Sequence, residues 1–90
     1  MTQRDTNGPA PYDPQRGPRD LGQMWLLEKL GDVVVLFLWT HPEGWELKLL
    51  NPVEVQRSIV VRRMDDVVTE AKQLEHELKA DGWIDPTSAQ

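Results

Sequence analysis

Any chemistry done by this 90-residue chain rests on two histidines, a set of carboxylates and a few hydroxyls, because it has no cysteine. His76 lies between Glu75 and Glu77. A chelate or an acid–base pair needs groups that converge, and neighbours in sequence point apart on a helix. His76 therefore shares a helix face with Lys72 and Ala80, and the spacing reads as a solvated surface. His41 stands in Thr40-His41-Pro42-Glu43-Gly44-Trp45, beside Glu43. Pro42 presets φ at the second turn position and Gly44 supplies the permissive φ, so turn geometry already accounts for this segment. Neither HExxH nor CxxC occurs, and the pattern predicts no metal ligand and no cofactor.

The other chemical types are equally plain. Ser58 and Thr40 have no evident base and orienting group around them, as an activated nucleophile requires. Gly31 and Gly44 are single turn glycines rather than a phosphate-cradling loop. Asp65-Asp66 reads better as helix capping than as a carboxylate pair. No catalytic residue can be named, and the reading leans away from an enzyme. Arg57, Arg62 and Arg63 with Lys48 make a modest basic edge, with Trp45 nearby as a stacking surface for a single strand. Charge that blunts an edge strand explains them as well. His41 and Trp45 are the candidate ligand-binding residues.

The formal charge of −5 is concentrated in residues 64–90, where Lys72 and Lys79 face seven acidic groups; residues 1–20 and 21–63 each balance to zero. That distribution argues against wrapping nucleic acid. The longest apolar run is too short for a membrane span, the N-terminus does not resemble a signal peptide, and the absence of cysteine fits a reducing compartment. The expected setting is the cytoplasm.

These residues must be positioned by a small core. Val33 to Trp39 is an unbroken run of large apolar residues, the pattern of a strand buried on both faces. Met24 to Leu30 precedes it, joined by Gly31-Asp32, which suggests a type II′ hairpin with Leu30 opposite Val33 and Met24 opposite Trp39. After the 40–45 turn, pairing of Thr40 with Trp45 predicts a third strand. Asn51-Pro52-Val53-Glu54 turns into a fourth, Val55 to Arg62, whose register stays open because a bulge would flip every side chain.

Asp65 or Asp66 then caps a helix in which Val67, Ala71, Leu74 and Leu78 recur at helical spacing. Gly82 fits the left-handed position after its end, which sets Trp83 against Leu78. The expected fold is α+β: a four-stranded antiparallel meander with one C-terminal helix on one face. It occupies residues 21–85, after a disordered Pro/Gly-rich tail (1–20) and before a frayed C-terminus (86–90).

Alternation sorts the sheet into two surfaces. Trp25, Leu27, Leu36, Leu38, Trp45, Leu47 and Leu49 form the one assigned to the helix. Met24, Leu26, Val35, Phe37 and Trp39 form the other, inside a margin of Glu28, Glu46 and Lys48. An apolar centre with a charged rim is the layout of an interface. The expected partner is a second copy of the chain, or another protein, with coverage by the tail or by Trp83-Ile84 as the competing explanation. A small ligand or peptide held between this face and the 40–46 turn is the alternative.

The segment His41-Pro42-x-Gly44-Trp45-Glu46-Leu47, followed by a strand, a helix and Gly82-Trp83, resembles a group of short bacterial proteins with an HPxGWE-type segment and no known activity. The similarity spans about residues 24–84. It implies a small stand-alone bacterial domain and supplies no substrate or site residue.

Overall fold

Strand β2 (Asp32–His41) carries the unbroken apolar run and lies inside the sheet, between β1 (Asp20–Lys29) and β3 (Gly44–Asn51); β4 (Glu54–Val61) completes the antiparallel order β1-β2-β3-β4. Helix α1 (Met64–Ala80) follows. The structure is a computed structural model and describes residues 11–51 and 54–86. Of the tail expected to be disordered (1–20), residues 1–10 lie outside the described residues, as do the Pro52-Val53 corner and 87–90 of the expected frayed end (86–90); residues 11–19 are described and Asp20 opens β1.

The architecture expected from the sequence is the one observed. Along β2, Val34, Leu36, Leu38 and Thr40 are buried, while Val35, Phe37 and Trp39 between them are partly exposed. The first set joins Leu27, Leu47, Leu49 and Val61 from the other strands and Val67, Ala71 and Leu74 from α1 in a single core. Trp25, Trp45, Ile59, Met64, Leu78 and Trp83 pack around it. The indole N–H of Trp25 donates to the carbonyl of Ala71 at 3.2 Å, tying β1 to the middle of the helix.

The first hairpin differs in detail from the expectation. Its two loop residues are Leu30 and Gly31, both at positive φ (49° and 89°), as a type I′ turn requires, and Lys29 pairs with Asp32. The expected Gly31-Asp32 turn is therefore corrected. A non-glycine residue in the left-handed region costs about 1–2 kcal/mol. The side chain of Leu30 is 96% exposed, so only the backbone opposes the conformation. From Trp25 to Lys29 each partner moves by two residues, so that Leu27 meets Val34 instead of Leu36, and the side chains there keep their faces.

Further along, irregularities between Asp20 and Gly22 and between Gln23 and Trp25 re-aim the strand. Asp20, not Met24, stands opposite Trp39. Met24 is the extra residue at a bulge, which an alternation argument has no means to see.

Between β2 and β3 the expected register holds: Thr40 pairs with Trp45, Leu38 with Leu47 and Leu36 with Leu49. On β4 the open question resolves with Ile59 opposite Leu47 and Val61 opposite Trp45, and with the irregularity between Leu49 and Leu50. Arg57, Ile59 and Val61 therefore share the helix side, and Val55, Ser58 and Val60 the other.

The helix begins earlier than expected, with Arg63 at the N-cap and no side-chain cap, which corrects the capping role given to Asp65 or Asp66. Starting at Met64 lets that side chain reach the core, while the two aspartates sit in the first turn and favour its positive end. At the C-terminus the expected closure is present. Gly82 (φ 102°) donates to Lys79 and Trp83 donates to Leu78, at 3.1 and 3.0 Å, as in a Schellman motif. The chain then adds Ile84 to the outer edge of β1 through paired hydrogen bonds with Glu28 (2.8 and 2.9 Å).

Candidate functional site

Two regions hold the residues singled out by sequence. The first is the sheet face away from the helix. Alternation along β2 puts Val35, Phe37 and Trp39 there, and pairing with Val35 puts Leu26 beside them. Val33, Leu50, Val55 and Val60 extend the same surface across β2, β3 and β4. Met24, at the bulge, is 37% exposed. Lys48 places its ammonium 4.2 Å from the Trp39 ring centroid, a cation–π contact within the patch. Glu46, one step along β3, accepts a hydrogen bond from the Ser58 hydroxyl. Among the described residues no helix or strand lies over this face.

The second region is the turn that joins β2 to β3. His41 pairs with Gly44, leaving Pro42-Glu43 as the loop, and the His41 Nδ1 accepts the backbone N–H of Glu43 at 3.0 Å. In the neutral ring this bond puts the proton on Nε2, so His41 presents a donor outward. Gly44 (φ 140°) lies against the end of β4. A Cβ there would strike the Val61 carbonyl oxygen and come within 2.8 Å of the Arg62 Cα. Only glycine allows that approach, which brings Arg62 to the turn. The Arg62 guanidinium reaches Glu43 at 3.6 Å.

Residues 11–19, placed by composition in the tail, run beside this turn. Asp13 closes a small loop by accepting from Arg16 and Gly17. Arg19 then exchanges bonds with Thr40: its N–H donates to the Thr40 hydroxyl at 2.7 Å and its carbonyl accepts the Thr40 N–H at 2.9 Å. Thr40 is fully buried, so this pairing satisfies a group that would otherwise be costly. Pro11, Tyr12 and Pro14 complete a hollow of about 390 Å3 with His41, Pro42, Gly44, Trp45 and Arg62. The structure places His41 and Trp45 around one hollow and adds Tyr12 and Arg62, which composition assigned to a tail and to an edge charge. Among the described residues the Trp45 Nε1–H and the Arg19 Nε–H are buried without a hydrogen-bond partner.

The remaining candidates stay apart. His76 is exposed on α1; Glu75 bonds Lys79 (3.0 Å) and Glu77 faces Arg57 (3.8 Å). Arg63 meets Asp65 at 3.5 Å, so each arginine of the basic edge is paired with a carboxylate, while Lys48 lies over Trp39. Among the described residues no three His, Cys, Asp or Glu side chains are grouped to hold a metal ion, and no helix is long and apolar enough to cross a membrane.

No family model, curated protein or solved structure matches the chain. Its function must be argued from these two regions alone.

Proposed function

We propose that the chain is a non-enzymatic interaction module that forms a symmetric homodimer, sheet against sheet. The observation that carries this reading is the partly exposed apolar row Leu26, Val35, Phe37 and Trp39, continued by Val33 and Leu50, on the face that α1 leaves uncovered. Burying a large apolar side chain is worth about 1.5–3 kcal/mol, and a two-fold axis lets one patch serve both copies. Two such sheets stack at about 10 Å with their apolar rows interdigitated. The margin suits a second copy, because Glu46 and Lys48 lie two residues apart on the same side of β3, and a two-fold rotation can bring each to its opposite on the partner.

Mass in solution tests this. Light scattering on the full chain is expected to give twice the monomer mass, and Phe37→Asp or Trp39→Asp to give a folded monomer or an insoluble chain. A wild-type monomer at every concentration, or both variants keeping the wild-type mass and solubility, would overturn it.

A further inference from the structure

We infer that the hollow at the β2–β3 turn is a binding site for a small organic anion, a carboxylate on a flat apolar ring. It is a reading of different residues from those of the sheet face and does not depend on dimerisation.

The argument begins with the charge of the lining. The chain is acidic, with a net −5, and two other hollows among the described residues each include a carboxylate: Glu28 in one, Glu28 and Asp85 in the other. The turn hollow has none. Its ionisable residues are Arg62, His41 and Tyr12, and the rest are Trp45, Gly44 and three prolines. Each of its polar side chains supplies a donor. Arg62 offers a guanidinium, and His41 an Nε2–H, because its Nδ1 is occupied by the Glu43 amide. Trp45, also in the lining, has a buried indole N–H with no acceptor among the described residues. Donors in excess over acceptors at one end of a sheet favour an acceptor-rich anion.

Shape completes the case. Tyr12, Trp45 and the prolines Pro11, Pro14 and Pro42 supply flat apolar walls, suited to a ring stacked between them. A volume of about 390 Å3 lies toward the lower end of the range for small-ligand pockets. Glu43 now shares the Arg62 charge at 3.6 Å, so the ligand's carboxylate competes with a side-chain carboxylate of the protein itself.

That competition makes the test two-sided. Full-length 15N-labelled protein is titrated with 2-naphthoate and, separately, with the neutral 2-naphthamide, following the Trp45 indole and His41 signals. Naphthoate is expected to shift both signals saturably, with a Kd of about millimolar for a fragment of this size. Naphthamide is expected to bind at least about threefold more weakly. Arg62→Gln should weaken naphthoate about three- to fivefold, the scale of one exposed ion pair, and Glu43→Gln should tighten it about two- to threefold. The two variants have exposed side chains, and unchanged spectra elsewhere would show that the fold is intact. Four outcomes would overturn the inference: no saturable shift at Trp45, equal binding of the two probes, indifference to Arg62→Gln, or shifts confined to Trp39 on the sheet face.

Discussion

Val34, Leu36 and Leu38 differ little in composition from Val35, Phe37 and Trp39, and the two sets alternate on one strand. One set is buried under α1 and the other is half-buried on a face without a helix. Among the described residues the fold lays α1 over one side of the apolar run in β2 and no helix or strand over the other. Val67, Ala71 and Leu74 belong to the core, so α1 has one apolar stripe and it is fully used. Beyond the helix, Asp85 and Pro86 line a hollow with Met24 and Leu26 at the margin of the second face. Ile84 goes to the edge of β1, where it guards backbone groups instead of side chains.

The largest expected difference between the faces comes from truncating each in turn. Leu36→Ala removes a fully buried side chain and should cost about 2–5 kcal/mol in urea unfolding. Phe37→Ala, measured where the chain is monomeric, should cost less than half as much, because its site is already part-exposed. Equal losses at the lowest usable concentration would mean that the chain covers both faces itself, and the comparison would collapse.

Next in size is Gly44→Ala, which drives a Cβ into the backbone of β4 at a positive φ. It should cost well over about 1 kcal/mol, whereas Gly22→Ala, at φ 118° with nothing within 4 Å, carries the backbone strain alone and should cost less. Thermal melting of the two variants separates crowding from strain. Trp25→Phe keeps an aromatic side chain but deletes the bond to Ala71 and part of the indole's packing, a loss of at least about 1 kcal/mol on the helix side. Smallest is Lys48→Met on the open side, where losing the cation over Trp39 should cost about 0.5–1 kcal/mol of monomer stability. The added apolar surface should strengthen self-association, and a concentration series by sedimentation would read both the sign and the size.

The candidate regions were unequally legible. The open face follows from alternation, and a two-residue change of partner in the first hairpin left it intact because side-chain direction has a period of two. Met24 escaped because a bulge breaks that period. Tyr12 and Arg62 escaped for another reason. Each is distant in sequence from His41, and no local pattern says that residues 11–14 and the end of β4 meet at one turn. The glycine at 44 was legible as a turn former, but its second role, admitting the β4 backbone, shows only when β4 is in place.

By itself, then, the sequence determined what is periodic or local: four strands and a helix in this order, the division of the sheet into two faces, the 40–45 turn and the glycine closure of α1. Those properties depend on dihedral preferences and on side-chain periods of two and 3.6, which the chain carries at every point. Tertiary structure decided what depends on distance through space. It chose Leu30-Gly31 over Gly31-Asp32 as the hairpin turn, started the helix at Met64 so that its side chain reaches the core, and brought Arg19 to the buried Thr40 hydroxyl. It also gathered His41, Trp45, Tyr12 and Arg62 around one hollow. At the hairpin, packing of the whole outweighed a local preference at Leu30 worth about 1–2 kcal/mol.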